Sequence, residues 1–135
     1  MSILGIGTDI VKNTRIKKLL KTKKFINRIF SKKEIIKSKN TLNKTNYFSK
    51  KFAVKEAFVK ALGTGFRNGI NFKDITITNT SNGKPEIVIN SKIKKFIRQK
   101  LTKKKINIFV SLSDEAEYSI SLVIIETKWT LKIGF

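Results

Sequence analysis

The chain has no cysteine and no histidine among its 135 residues. Without thiols there are no disulfides, no thiolate nucleophile and no sulfur-ligated zinc. Without imidazole the usual general base near neutral pH is missing, together with most catalytic zinc sites. Chemistry is left to carboxylates, lysines, hydroxyls, backbone groups and a hard metal ion held through oxygen. Acidic residues are scarce too, 9 against 30 Lys plus Arg, for a formal net charge of +21. Such a surface attracts polyanions: an acidic protein, a nucleotide, a nucleic acid or an anionic membrane. No apolar run approaches the roughly 20 residues that span a bilayer. The opening segment lacks the basic-then-apolar order of a signal peptide. A cytoplasmic protein with no membrane association is therefore expected.

What is present is enough for a folded core. Hydrophobic residues make up 40% of the chain, ten of them Phe, and the length fits one domain spanning 1–135. Apolar residues broken by glycines predict a strand over 3–7 that ends near Asp9. Asn13 or Thr14 is a candidate cap for a basic helix carrying Arg15, Ile16, Leu19 and Leu20. Further helix is expected over 24–30, and Ser31 with Glu34 forms a capping box that opens another turn or two. Residues 38–46 read as loop. The longest helical pattern covers 46–62 and stops at Gly63, a good residue to end a helix. Alternation over 74–80 and 86–90 around Asn82-Gly83 predicts a hairpin. Ser91 is a candidate cap for a second basic helix, and two strands follow over 107–113 and 118–126. The order mixes helices with hairpins, which places the fold in the α+β class: an antiparallel-type sheet, one long buried helix and flanking basic helices. The tail around Trp129 carries no clear pattern.

Two of the nine acids stand out. Glu34, Asp74 and Glu86 sit at element ends or turns, whereas Asp9 closes the apolar opening segment. Glu56 lies inside Phe52-Ala53-Val54-Lys55-Glu56-Ala57-Phe58-Val59-Lys60-Ala61-Leu62. A helix that is apolar nearly all round is normally buried, and a carboxylate within it needs a cation or hydrogen bonds. Two readings stand. Glu56 pairs with Lys60 one turn on, as an ordinary i,i+4 ion pair. Alternatively, Asp9 and Glu56 converge on a divalent metal such as Mg²⁺, with Lys60 beside it facing a phosphate. Gly63-Thr64-Gly65 likewise reads either as a plain helix end or as backbone that lets a phosphate approach, with Thr64 adding a hydrogen bond. Gly83-Lys84-Pro85 is most simply a hairpin turn.

Together the segments Gly5-Ile6-Gly7-Thr8-Asp9-Ile10-Val11, Phe52-Ala53-Val54-Lys55-Glu56-Ala57 and Lys60-Ala61-Leu62-Gly63-Thr64-Gly65 resemble holo-acyl-carrier-protein synthase. Asn82-Gly83-Lys84-Pro85, Val110-Ser111-Leu112-Ser113-Asp114-Glu115 and Val123-Ile124-Ile125-Glu126 fit in order and spacing. The resemblance runs from residue 1 to about 126. It implies the 4′-phosphopantetheinyl transferase fold and transfer of 4′-phosphopantetheine from coenzyme A to a serine of acyl carrier protein, releasing 3′,5′-ADP, in fatty acid biosynthesis.

By that resemblance Asp9 and Glu56 hold Mg²⁺ and Lys60 contacts the phosphates. Gly63, Thr64, Gly65, Gly83, Lys84 and Pro85 lie along the nucleotide. Lys51 stands where the family commonly carries Arg for the nucleotide phosphates, a point charge in place of a planar fork. Arg15 and Leu19 meet the acidic carrier. Asp114 occupies a position where many members have His, so a mechanism requiring that His as base does not apply; Asp114 and Glu56 are the candidate bases. Family members of this size are homotrimers with sites between subunits. The competing class is a basic nucleic-acid-binding module, favoured by the net charge and by runs such as Lys103-Lys104-Lys105. Against it, no RRM, KH or zinc-finger signature is present, and the basic residues are spread along the whole chain.

Overall fold

Glycine decides how closely the first strand and the long helix approach each other. In the computed structural model, which describes residues 1–67 and 69–128, strand β1 (Ser2–Lys12) lies against helix α4 (Lys44–Leu62). A Cβ on Gly5 would stand 1.8 Å from the Ala61 carbonyl oxygen, and one on Gly7 1.8 Å from that of Ala57. Small residues on both partners therefore bring backbone against backbone. Side chains alternate along a strand, so Gly5, Gly7, Asp9 and Val11 face the helix while Ile6, Thr8 and Ile10 face away.

Three short helices follow β1: α1 (Asn13–Leu19), α2 (Lys23–Ile29) and α3 (Lys32–Ser38). After α4, a 3₁₀ turn at Phe72–Asp74 leads into the hairpin β2 (Ile75–Asn79) and β3 (Pro85–Ile89). Then come α5 (Ser91–Lys100), β4 (Ile106–Asp114) and β5 (Tyr118–Thr127). All strand pairs are antiparallel. One sheet has the order β1-β5-β4, and β2-β3 forms the other. Helix α4 separates two cores. On one side Val54, Phe58, Ile75, Ile93, Val123 and Ile125 pack together; on the other Val11, Ile16, Ile29, Phe30, Phe48 and Phe52 do. No helix among the described residues is long and apolar enough to cross a membrane.

Most expected elements are present with shifted ends. Strand β1 continues through Asp9 to Lys12, because β5 pairs with it along that whole length. Helix α4 starts at Lys44, capped by the Asn43 side chain, so the expected loop is shorter. The cap of α5 is Asn90 rather than Ser91. Asn13 does not cap α1: its amide donates to the carbonyls of Glu115 and Ala116, and its oxygen accepts from Ser119 Oγ. The capping box of Ser31 and Glu34 is formed, and Gly63 ends α4 at φ 76°. The tail around Trp129 lies outside the described residues.

Candidate active site

The approach of β1 to α4 sets Asp9 beside the last two turns of the helix. Lys60 Nζ donates to Asp9 Oδ1 at 3.1 Å and to the Thr8 carbonyl oxygen at 2.9 Å. The expected pair of Glu56 with Lys60 is thus replaced by one across elements, Lys60 with Asp9. Glu56 is half-buried at the same place. Burial, then the charge of Asp9, pushes its carboxyl above the ordinary value. Burial also raises the Asp9 carboxyl, against the pull of Lys60 and Arg15. Arg15 on α1 tempers both carboxylates. Four sequence-predicted residues from three elements therefore share one electrostatic site: Asp9, Arg15, Glu56 and Lys60. Leu19, one turn beyond Arg15, packs partly into the core beneath α1.

A hard cation fits this donor set. All of its donors are oxygens, and an ammonium already sits on the Asp9 carboxylate and the Thr8 carbonyl. Among the described residues no three acidic side chains gather anywhere. An ion bound here would complete its shell from water and substrate, which is the habit of Mg²⁺. The Thr8 carbonyl was invisible in the sequence pattern, since a backbone oxygen has no letter.

The helix-end glycines continue from this cluster, with Gly63 N–H donating to the Lys60 carbonyl. Gly65 has φ 60°, and Cβ atoms built on Gly63 or Gly65 would meet nothing within 4 Å. The turn at Gly83–Pro85 belongs to the other sheet, and no hydrogen bond among the described residues joins it to Asp9. Asp114 closes β4, where its carboxylate accepts from Asn46 Nδ2 at 2.9 Å and faces Lys50 at 3.8 Å.

Lys51 is turned inward. It is 6% exposed, donates to the Ile77 carbonyl at 3.2 Å and lies over the Tyr47 ring. Burial lowers its ammonium to about 8. A lysine whose folded pKa lies below its unfolded one carries the full burial cost under pH 8 and sheds it as pH rises toward 10.5. Lys51→Met should therefore raise stability at pH 7 by about 1–2 kcal/mol, the lost hydrogen bond offsetting part of the gain. Urea melts at pH 7 and pH 10 check this, the gain shrinking at the higher pH.

The fully buried charges are not the ones the acid pattern singled out. Glu34, read as a simple capping residue, is 1% exposed, and Lys55 is 0% exposed. Their side chains meet at 2.7 Å. The capping box hid the second role of Glu34; the signal for Lys55 was its place in an otherwise apolar stretch.

The chain is similar to known proteins along nearly its whole length. The model of the 4′-phosphopantetheinyl transferase superfamily matches residues 5–123. A holo-[acyl-carrier-protein] synthase of Pelagibacter ubique is 52% identical over 128 residues, covering 95% of this chain and 100% of the relative. The crystal structure of the holo-[acyl-carrier-protein] synthase from Neisseria meningitidis superposes with a TM-score of 0.85 at 35% identity, over 93% of this chain and 100% of that one. That of Helicobacter pylori, in complex with coenzyme A, does so with a TM-score of 0.76 at 31% identity, over 90% and 99% of the two chains.

Proposed function

The chain belongs to the 4′-phosphopantetheinyl transferase superfamily, among its holo-acyl-carrier-protein synthases, and we propose the following division of labour for its residues, within one domain over 1–135. The reaction moves the 4′-phosphopantetheine group from coenzyme A to a serine hydroxyl of apo acyl carrier protein. The observation that carries the assignment is the meeting of Asp9, Glu56 and the Lys60 ammonium at the crossing of β1 and α4.

Asp9 and Glu56 are the residues that would hold Mg²⁺. Bound there, the ion supplies charge neutralisation for a diphosphate. Lys60, more than half exposed at its side chain, swings on a flexible stem from Asp9 to the phosphate oxygens and favours the charge that builds on the leaving group. The serine oxygen forms a bond to the β-phosphorus as the bond to the bridging oxygen breaks, and 3′,5′-ADP departs. Glu56 or Asp114 would take the serine proton. Gly63 and Gly65 give the nucleotide a side-chain-free approach, Thr64 adds a hydroxyl, and the Gly83-Lys84-Pro85 turn lies along its length. Lys51 reaches a phosphate only by leaving the Ile77 carbonyl. Arg15 and Leu19 offer a basic, partly apolar helix to the acidic carrier.

The outer face of the three-stranded sheet supports a homotrimer. Ile6 and Ile10 on β1 are 55% and 61% exposed, and Ile120, Leu122 and Phe109 stand beside them across the strands. A contiguous apolar patch of this kind marks an interface. It lies on the opposite side of the strand that carries Asp9, so subunit contact and site share one element.

The test is a transfer assay with purified protein, coenzyme A and apo carrier, read by the mass of the carrier, with and without Mg²⁺. Modification that requires the ion is expected. An unmodified carrier, with oligonucleotides bound tightly at physiological salt, would favour the nucleic-acid reading instead.

A further inference from the structure

Among the described residues, the side chain with the most hydrogen-bond acceptors lies outside the reacting cluster. Lys55 Nζ has four acceptors within hydrogen-bond distance: Glu34 Oε1 at 2.7 Å, and the carbonyls of Ile75 at 2.7 Å, Ile29 at 3.0 Å and Phe72 at 3.0 Å. Glu34 in turn accepts from the Ser31 amide through Oε1 and from the Ile77 amide through Oε2. One buried ion pair thereby ties the middle of α4 to the end of α2, the start of α3, the 3₁₀ turn and β2.

A buried ion pair is weak evidence for stability, because desolvation offsets much of the attraction. Its value here is geometric. Three of the four acceptors are backbone carbonyls of other segments, which an apolar side chain at position 55 could not hold. Phe72 is the informative one. Its carbonyl is held by Lys55, and its ring is stacked between Phe52 of α4 and Phe66, at centroid distances of 5.7 Å and 3.6 Å. Phe66 directly follows Gly65. A contiguous path thus runs from Lys55 through the Phe72 carbonyl and the Phe72–Phe66 stack to Gly63-Thr64-Gly65. The loop leaves α4 at Gly63 and is pinned back onto the same helix by Lys55.

We infer that Lys55, with Glu34, is a positioning residue for coenzyme A: it fixes the 3₁₀ turn at Phe72 and, through the Phe72–Phe66 stack, holds the glycine loop in its nucleotide-binding form. This rests on the assignment of that loop to the nucleotide. The role is separate from that of the neighbouring Glu56, whose carboxyl feels the charge of Asp9. Positional errors of about 1 Å at such a remove are enough to cost up to 10²-fold.

Removing Lys55 alone would leave Glu34 as an unpaired buried charge, a stability effect that says nothing of position. The double variant Lys55→Met/Glu34→Gln removes both charges and keeps an acceptor for the Ile77 amide. Phe66→Ala cuts the path at its other end without touching the ion pair. Steady-state kinetics with both substrates varied are measured for the wild type, the double variant, Phe66→Ala and the triple variant. The KM for coenzyme A should rise about tenfold in each, with the KM for the apo carrier unchanged. The triple variant should be no worse than the poorer of its parents, as expected for two cuts in one path. A coenzyme A KM that stays at the wild-type value in Phe66→Ala or in the folded double variant would overturn the inference. So would effects that multiply in the triple variant. Should the double variant fail to fold, Phe66→Ala decides alone by the same readout. Absence of transfer by the wild type is a different result, which removes the functional assignment itself.

Discussion

Glu56→Gln should leave the fold intact and lower phosphopantetheine transfer by about 10³-fold, the loss expected when several kcal/mol of charge stabilisation disappears. Gln keeps the shape and hydrogen-bonding reach of Glu, so α4 and its two cores have no reason to change. What is lost is a negative oxygen able to bind a hard cation and accept a proton. The stability of the variant carries a sign that can be worked out. Burial and then Asp9 raise the Glu56 carboxyl above 4.5. A carboxyl raised in the folded state costs stability in full above its folded pKa, and the cost fades as pH falls through that value and is nearly gone by 4.5. Without metal, the variant should therefore melt at or above the wild-type temperature at pH 7 and lose that margin in acid. Added Mg²⁺ should raise the melting temperature of the wild type and do less for the variant, since a ligand stabilises only the form that binds it. Wild-type turnover in the variant would make Glu56 a structural residue and unseat the site.

That result bears on Asp9 and Lys60 as well. The two carboxylates repel each other across the β1–α4 crossing, and Lys60 bridges only to Asp9. Like charges held together in a folded chain need a counter-charge, and Lys60 and then Arg15 supply only part of it to Glu56. An arrangement that is costly without a cation and relieved by one is what a metal-dependent phosphoryl-transfer site requires. A structural role would have been met more simply by the ordinary Glu56–Lys60 pair along the helix.

How far this was legible beforehand depended on whether the signal was local. The long helix, the Asn82-Gly83 hairpin and the Ser31–Glu34 capping box each follow from residues within a few positions of one another, and each is present. Asp9 and Glu56 could be singled out because acids are rare here and these two sit among apolar neighbours. Partner choice could not be read in the same way. Lys60 has Glu56 at i−4 and yet pairs with Asp9, 51 residues away, because the glycines of β1 carry that strand onto the helix. Glu34 satisfied a local rule so fully that its burial against Lys55 left no trace in the pattern. The limits of β1 were missed for a similar reason: strand length is set by the partner, and β5 lies more than a hundred residues downstream.

Those same glycines give the largest expected loss of stability. Gly7→Ala should destabilise the protein by about 3 kcal/mol or more, at the severe end for a single added methyl group. The new Cβ would stand 1.8 Å from the Ala57 carbonyl oxygen and 2.8 Å from the Ala57 carbonyl carbon and the Ala61 nitrogen. All three are backbone atoms, so no side-chain rotation relieves the clash, and β1 must move off α4. That separation opens the core between them and shifts Asp9 relative to Glu56 and Lys60. Gly83→Ala is the informative comparison. Gly83 sits at φ 81° with nothing within 4 Å of its Cβ position, so its cost is only the backbone strain of a left-handed residue, about 1–2 kcal/mol. Urea unfolding of both variants separates the two causes. The Gly7 variant should unfold at much lower urea and, where still folded, transfer at least about 10²-fold more slowly, as a misplacement near 1 Å predicts. The Gly83 variant should show the smaller loss of stability, with the Asp9 cluster undisturbed. Equal stability of Gly7→Ala and the wild type would mean that the strand and helix do not touch as described, and Asp9 would lose its place beside Glu56.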